Sequence, residues 1–151
     1  MWNRRSFYHI CIPIIIGGLI YTLFRVDTLL VFKVYEFLQV DGLINDLRNH
    51  TMQWEISNFV KYSLPDGLWV YAFTYFIVSL WKFDESRAKE KYIFMMIPLL
   101  CGVGGELIQL YFKNIGTFDF YDLFISLAAY IIGYISVSQS KDRCVGEERY
   151  G

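Results

Sequence analysis

Apolar residues in this chain gather into runs of near-membrane length, separated by stretches rich in charge. A helix needs about 20 consecutive apolar residues to cross the hydrocarbon core of a bilayer. On that measure the pattern predicts four spans, at residues 7–24, 66–82, 92–112 and about 120–137. The first carries Pro13 in its early turns and Gly17-Gly18 in its middle. The second is short. It reaches adequate length only if Pro65-Asp66-Gly67 begins the helix and Lys82 snorkels at its end. The third contains Pro98, which frees a backbone carbonyl and is expected to bend the helix. Gly102, Gly104 and Gly105 on the third run, and Ala129 and Gly133 on the fourth, are small residues at interface-like spacing. They predict close backbone approach between helices.

Between the first two spans lies a mixed segment, residues 26–65. In residues 28–40 the polar Lys33, Glu36 and Gln39 recur every third position and form one arc of a helix. That helix is too short and too charged to cross, so it is expected to lie in the membrane interface or to re-enter it. Asp41-Gly42 should break it, and Trp54, Ile56, Phe59 and Val60 suggest a second interfacial helix ending before Pro65. The fold class expected is an all-α integral membrane four-helix bundle, one domain over residues 1–151, with interfacial helices between the first and second spans.

Charge orients the set. Arg4 and Arg5 precede the first span, Lys82, Arg87, Lys89 and Lys91 lie between the second and third, and Lys141, Arg143 and Arg149 occupy the tail, residues 140–151. An even number of spans puts all three regions on one side, which the positive-inside rule makes cytoplasmic. Both termini then face the cytoplasm, and residues 26–65 and the turn at 113–118 face outward. Arg4-Arg5 and the first apolar run resemble a signal peptide, but Arg25-Val-Asp27 stands where a small-residue cleavage site should be.

The composition adds aromatic residues near the ends of the apolar runs, as in the interfacial belts of membrane proteins. Net charge is −1 and the basic residues form no stripe, which argues against a nucleic-acid partner. Cys11, Cys101 and Cys144 have no zinc-motif spacing and read as free thiols. His9 and His50 have no partner at ligand spacing and read as solvated or interfacial.

The candidate site is acidic. Glu106 and Gln109 share one face of the third span, with Glu106 about 9 Å inside its outer end. A carboxylate at that depth costs several kcal/mol and faces protein or water. It is either glue between helices or the wall of a polar cavity. Asp119 and Asp122 open the fourth span, where they suit an N-cap and the positively polarised first turn. Asp66 reads as the N-cap of the second span, and falls on the same outer side. The set admits two chemistries. Carboxylates with an amide suit a divalent cation, Mg²⁺ or Ca²⁺. Alternatively, one buried carboxyl would serve as a general acid beside an ionised partner.

The stretch Glu106-Leu-Ile-Gln109, then Gly116-Thr-Phe-Asp119-Phe-Tyr-Asp122, then Ser126, Ala129 and Gly133, resembles the C-terminal half of VanZ-like proteins. Pro65-Asp-Gly67 resembles that family's entry to its second helix. The chain departs from the family in having Thr117 where an Arg often precedes the first Asp, Ser126 for an Asn, and Ala129 for a glycine. The resemblance implies a small multi-pass protein of the bacterial cytoplasmic membrane, linked to glycopeptide resistance with teicoplanin as the drug class.

The expected function is therefore an outer-leaflet pocket, built from Glu106, Gln109, Asp119, Asp122 and Asp66, that binds a polar or lipid-linked envelope ligand. The expected partners are membrane lipid, a lipid-linked or glycopeptide ligand, and a second copy of the chain. Two alternatives stay open. One is a subunit of an oligomeric channel or a defence-system effector, with the acids ringing a pore. The other is a membrane enzyme acting on a lipid-linked substrate.

Overall fold

The computed structural model describes residues 4–25, 30–51, 53–81, 88–111 and 119–148. They form six α-helices: α1 (Arg4–Phe24), α2 (Leu30–Phe37), α3 (Asp41–Thr51), α4 (Leu64–Trp81), α5 (Ala88–Tyr111) and α6 (Phe120–Glu148). A π-helical turn, Phe59–Ser63, leads into α4. No strand occurs among the described residues.

Three of the helices are long and apolar enough to cross a membrane, over Ser6–Phe24, Glu90–Tyr111 and Phe120–Gln139. Only 11–17% of these stretches is buried within the protein, so most of their apolar side chains face outward. Ile15, Leu19, Tyr92, Leu100, Phe120 and Phe124 are all more than half exposed. An apolar surface of that extent needs lipid or another protein to cover it.

α4 is the hub. α1, α5 and α6 all pack on it, and α5 and α6 pack on each other. Among the described residues α1 approaches neither α5 nor α6. Of the other long helices α1 leans on α4 alone, which leaves a gap beside α5 among the described residues. The small residues explain the tight contacts. A Cβ on Gly133 would stand 3.1 Å from the Tyr71 carbonyl oxygen of α4, and one on Gly102 would stand 2.8 Å from Val70. Gly17 is equally confined, against Trp69. Gly104 and Gly105 differ from expectation, since nothing lies within 4 Å of a Cβ there. They sit off the interface because α5 turns another face to α4.

The apolar core lies toward the end of the molecule opposite the acids. It joins Tyr75 and Val78 of α4, Met95 of α5 and Val137 of α6, with Ile10 of α1 packed against it. Trp81 stacks on Phe94 at 4.5 Å beside it. The Tyr130 hydroxyl donates to the Met95 carbonyl at 3.1 Å, tying α6 to α5 about one turn before Pro98.

Several boundaries depart from the sequence reading. α2 ends because Gln39 adopts a left-handed backbone, φ 56°, and not because of Asp41-Gly42, which begins α3. The Val40 N–H bonds the Tyr35 carbonyl and the Gln39 N–H bonds that of Glu36, which is a Schellman closure without its usual glycine. The second helix of the segment is α3, residues 41–51, and Trp54 and Ile56 lie outside any helix. Phe59 and Val60 do not end a helix before Pro65. They start the π turn that continues through Pro65 into α4. α6 also runs on helically past the expected span end, to Glu148. The turn at 113–118 and most of the charged loop at 82–91 lie outside the described residues.

Buried Arg48 locks α3 to α1. It donates to the Thr22 carbonyl at 2.7 Å and covers the Phe32 ring. Thr22 lies in the last turn of α1, where carbonyls lack helical partners and a cation is favoured.

Candidate functional site

Pro65 sets the local geometry of the site. Proline has no N–H and its ring clashes with the carbonyl four residues back, so an ordinary α-helix cannot run through it unstrained. Here the turn before it widens, and the Leu64 N–H bonds Phe59 O, five residues back. The chain therefore stays helical from Asn58 into α4. Asn58, Phe59, Tyr62, Ser63 and Asp66 consequently fall on one continuous face and line one recess.

That recess has a volume of about 870 Å³ and lies between the π turn and the neighbouring ends of α4, α5 and α6. All five residues singled out from sequence line it: Asp66, Glu106, Gln109, Asp119 and Asp122. Glu106 is the buried member, at 8% exposure, and its carboxylate accepts the backbone N–H of Asp119 at 3.4 Å. It thus reaches from α5 to the N-terminus of α6, where unpaired N–H groups and the helix dipole favour an anion. Glu106 therefore both bridges α5 to the start of α6 and lines the recess. Asp119 caps α6 as expected, its carboxylate accepting the Tyr121 N–H at 2.8 Å. Asp122 follows in the first turn, and its Oδ1 is buried with no hydrogen-bond partner among the described residues.

Asp66 corrects the sequence reading. It lies inside α4 and not before it, and its half-exposed carboxylate pairs with Arg25 at 3.4 Å. Arg25 also donates to the Tyr62 carbonyl at 3.1 Å and lies over the Tyr21 and Tyr62 rings. Arg25 brings a guanidinium to the recess from the end of α1. Among the described lining residues there are four carboxyl groups and one guanidinium.

A second cavity, about 500 Å³ and mainly apolar, adjoins the first. Asp66 and Glu106 line both, so the two spaces meet at these carboxylates. The apolar groove runs between α1 and α5 with α4 as its floor. Ile14, Trp69, Phe73, Pro98, Cys101 and Gly105 are among its walls. It follows the gap left because α1 does not pack on α5.

Sequence reasoning missed Arg25, Asn58, Tyr62 and Ser63. The spacing of 58, 62, 63 and 66 is helical, but it registers only if the helix is read through Pro65. His9 is a further correction. It is half-buried, bonds the Tyr71 hydroxyl at 2.6 Å and stacks on Tyr75 at 4.6 Å, so it is a packing residue between α1 and α4. His50 is exposed, as expected. Cys11 and Cys101 are free thiols. Among the described residues no three acidic, His or Cys side chains converge as metal ligands.

No family model, curated protein or solved structure matches the chain.

Proposed function

We propose that this is a VanZ-like, four-span membrane protein whose outer-facing recess binds the polar part of a lipid or lipid-linked envelope compound. The observation that carries the proposal is the convergence of Asp66, Glu106, Gln109, Asp119 and Asp122, from three helices, on one recess large enough for a headgroup. In this reading α4 is the fourth span. Its 18 residues rise about 27 Å, close to the thickness of the hydrocarbon core. Its neighbours shield it on several sides, so it needs less apolar surface than a lipid-exposed helix. Both termini then lie in the cytoplasm of a bacterial cell and the acids lie at the outer leaflet. The similarity to VanZ-like proteins in the Glu-x-x-Gln and Asp-x-x-Asp elements supports a role in the cell envelope, with glycopeptide susceptibility as its phenotype.

The test is the lipid that co-purifies with the protein from bacterial membranes, read by native mass spectrometry. Wild type should carry bound amphiphile, and the double variant Glu106→Ala, Asp122→Ala should lose it while keeping its helicity. Equal retention by both would overturn the reading.

A further inference from the structure

We infer that the ligand is a two-part amphiphile, an amine-bearing phospholipid, with its ammonium group among the recess carboxylates and one hydrocarbon chain in the groove between α1 and α5. This rests on the headgroup reading above and adds the ligand's charge, its chain and its route of entry.

Charge complementarity selects the headgroup. Among the described lining residues four carboxyl groups face one guanidinium, an arrangement suited to a cation and poorly suited to an anionic sugar or glycerol phosphate alone. A primary ammonium offers three N–H donors. Glu106 spends one oxygen on the Asp119 N–H, and the remaining carboxylate lone pairs can accept from such a donor. Arg25 already pairs with Asp66 at the rim, and its fixed positive charge favours a phosphate there, next to the ammonium. Ammonium and phosphate joined by a short linker match that order of charges.

The groove supplies the second half. It begins at the same two carboxylates, Asp66 and Glu106, and extends along α4 to Phe76. That ten-residue stretch rises about 15 Å. One leaflet of a hydrocarbon core of about 30 Å is as deep. Its side is open because α1 and α5 do not meet, so a chain can slide in from the bilayer without leaving it. Gly105 keeps the groove open just beside Glu106: it lines the wall, and a Cβ there would touch nothing.

The experiment offers detergent-solubilised protein equal amounts of phosphatidylethanolamine, phosphatidylglycerol and phosphatidylcholine with identical acyl chains. Native mass spectrometry then counts the retained lipid. Wild type should prefer phosphatidylethanolamine by about tenfold, the worth of one charge-assisted hydrogen bond. Glu106→Gln keeps an acceptor for the Asp119 N–H and should erase the preference. Gly105→Leu fills the groove from an open side of α5 and should lower retention of all three lipids. O-phosphoethanolamine, which has no chains, should fail to displace the lipid. Equal retention of the three headgroups would sink the amine while leaving the headgroup site standing if Glu106→Gln still weakened binding. Retention untouched by Gly105→Leu, or displacement by O-phosphoethanolamine, would sink the groove. No lipid retained by wild type would remove both this inference and the reading beneath it.

Discussion

The contact between α4 and α6, which frames the recess, can be tested by adding one methyl group at two matched glycines. Gly104 lies inside α5 and Gly133 inside α6, so alanine at either gains about 1 kcal/mol of helix propensity. They differ in what the methyl meets. At Gly104 nothing lies within 4 Å of the new Cβ. At Gly133 it lands 3.1 Å from the Tyr71 carbonyl oxygen and equally close to Thr74 Cβ, and neither atom can swing aside as a side-chain tip would. Separating two packed helices by a few tenths of an ångström costs roughly 1–3 kcal/mol. Gly104→Ala should stabilise the protein, and Gly133→Ala should be neutral or destabilising, with a difference of roughly 2 kcal/mol between them. For a chain of this length that is a gap of roughly 4–8 °C in melting temperature. Thermal unfolding in a mild detergent, followed by circular dichroism, measures it. If Gly133→Ala raises the melting temperature as much as Gly104→Ala does, α6 does not press on α4 there, and the recess geometry falls with it.

Three further outcomes follow from single contacts. Asp119→Ala should destabilise the protein by about 1 kcal/mol through loss of the α6 cap, and Asp119→Asn should restore most of it, both read by denaturant unfolding. Arg25→Met should cost about 1–2 kcal/mol in the same assay, because it removes a partly exposed ion pair and two ring contacts, and high salt should reproduce only the ion-pair part. Gln39→Gly should raise stability by roughly 1 kcal/mol, since glycine adopts the left-handed conformation at the end of α2 without strain.

The long helices were legible because hydropathy and length determine them. Pro13 and Pro98 sit within α1 and α5 without ending them. What hydropathy cannot encode is which face of a helix meets which neighbour. Glycine spacing alone put Gly104 and Gly105 with Gly102 at an interface, yet only Gly102 meets Val70 and Ser126. Nor does an apolar run show that α1 will lean on α4 and stand apart from α5. That arrangement depends on Gly17 against Trp69, and on His9 wedged between Tyr71 and Tyr75.

The acids were legible for the opposite reason: carboxylates are expensive inside a span, so their positions stand out without knowledge of the fold. The cation was not, because Arg25 stands at the end of α1 and reads as an ordinary flanking charge. Its place depends on the chain staying helical through Pro65, which a local rule treats as a stop. Once the π turn carries the helix through, Tyr62 and Asp66 lie one turn apart and present a carbonyl, a ring and a carboxylate to the same guanidinium. The polarity of the molecule then follows. Apolar side chains cover the outside of the long helices, while polar side chains gather at one end, around a recess that adjoins an apolar groove. A water-soluble protein of this composition would reverse both faces. The recess is polar within and is reached from an apolar side, and an amphiphile held in a bilayer meets both conditions at once.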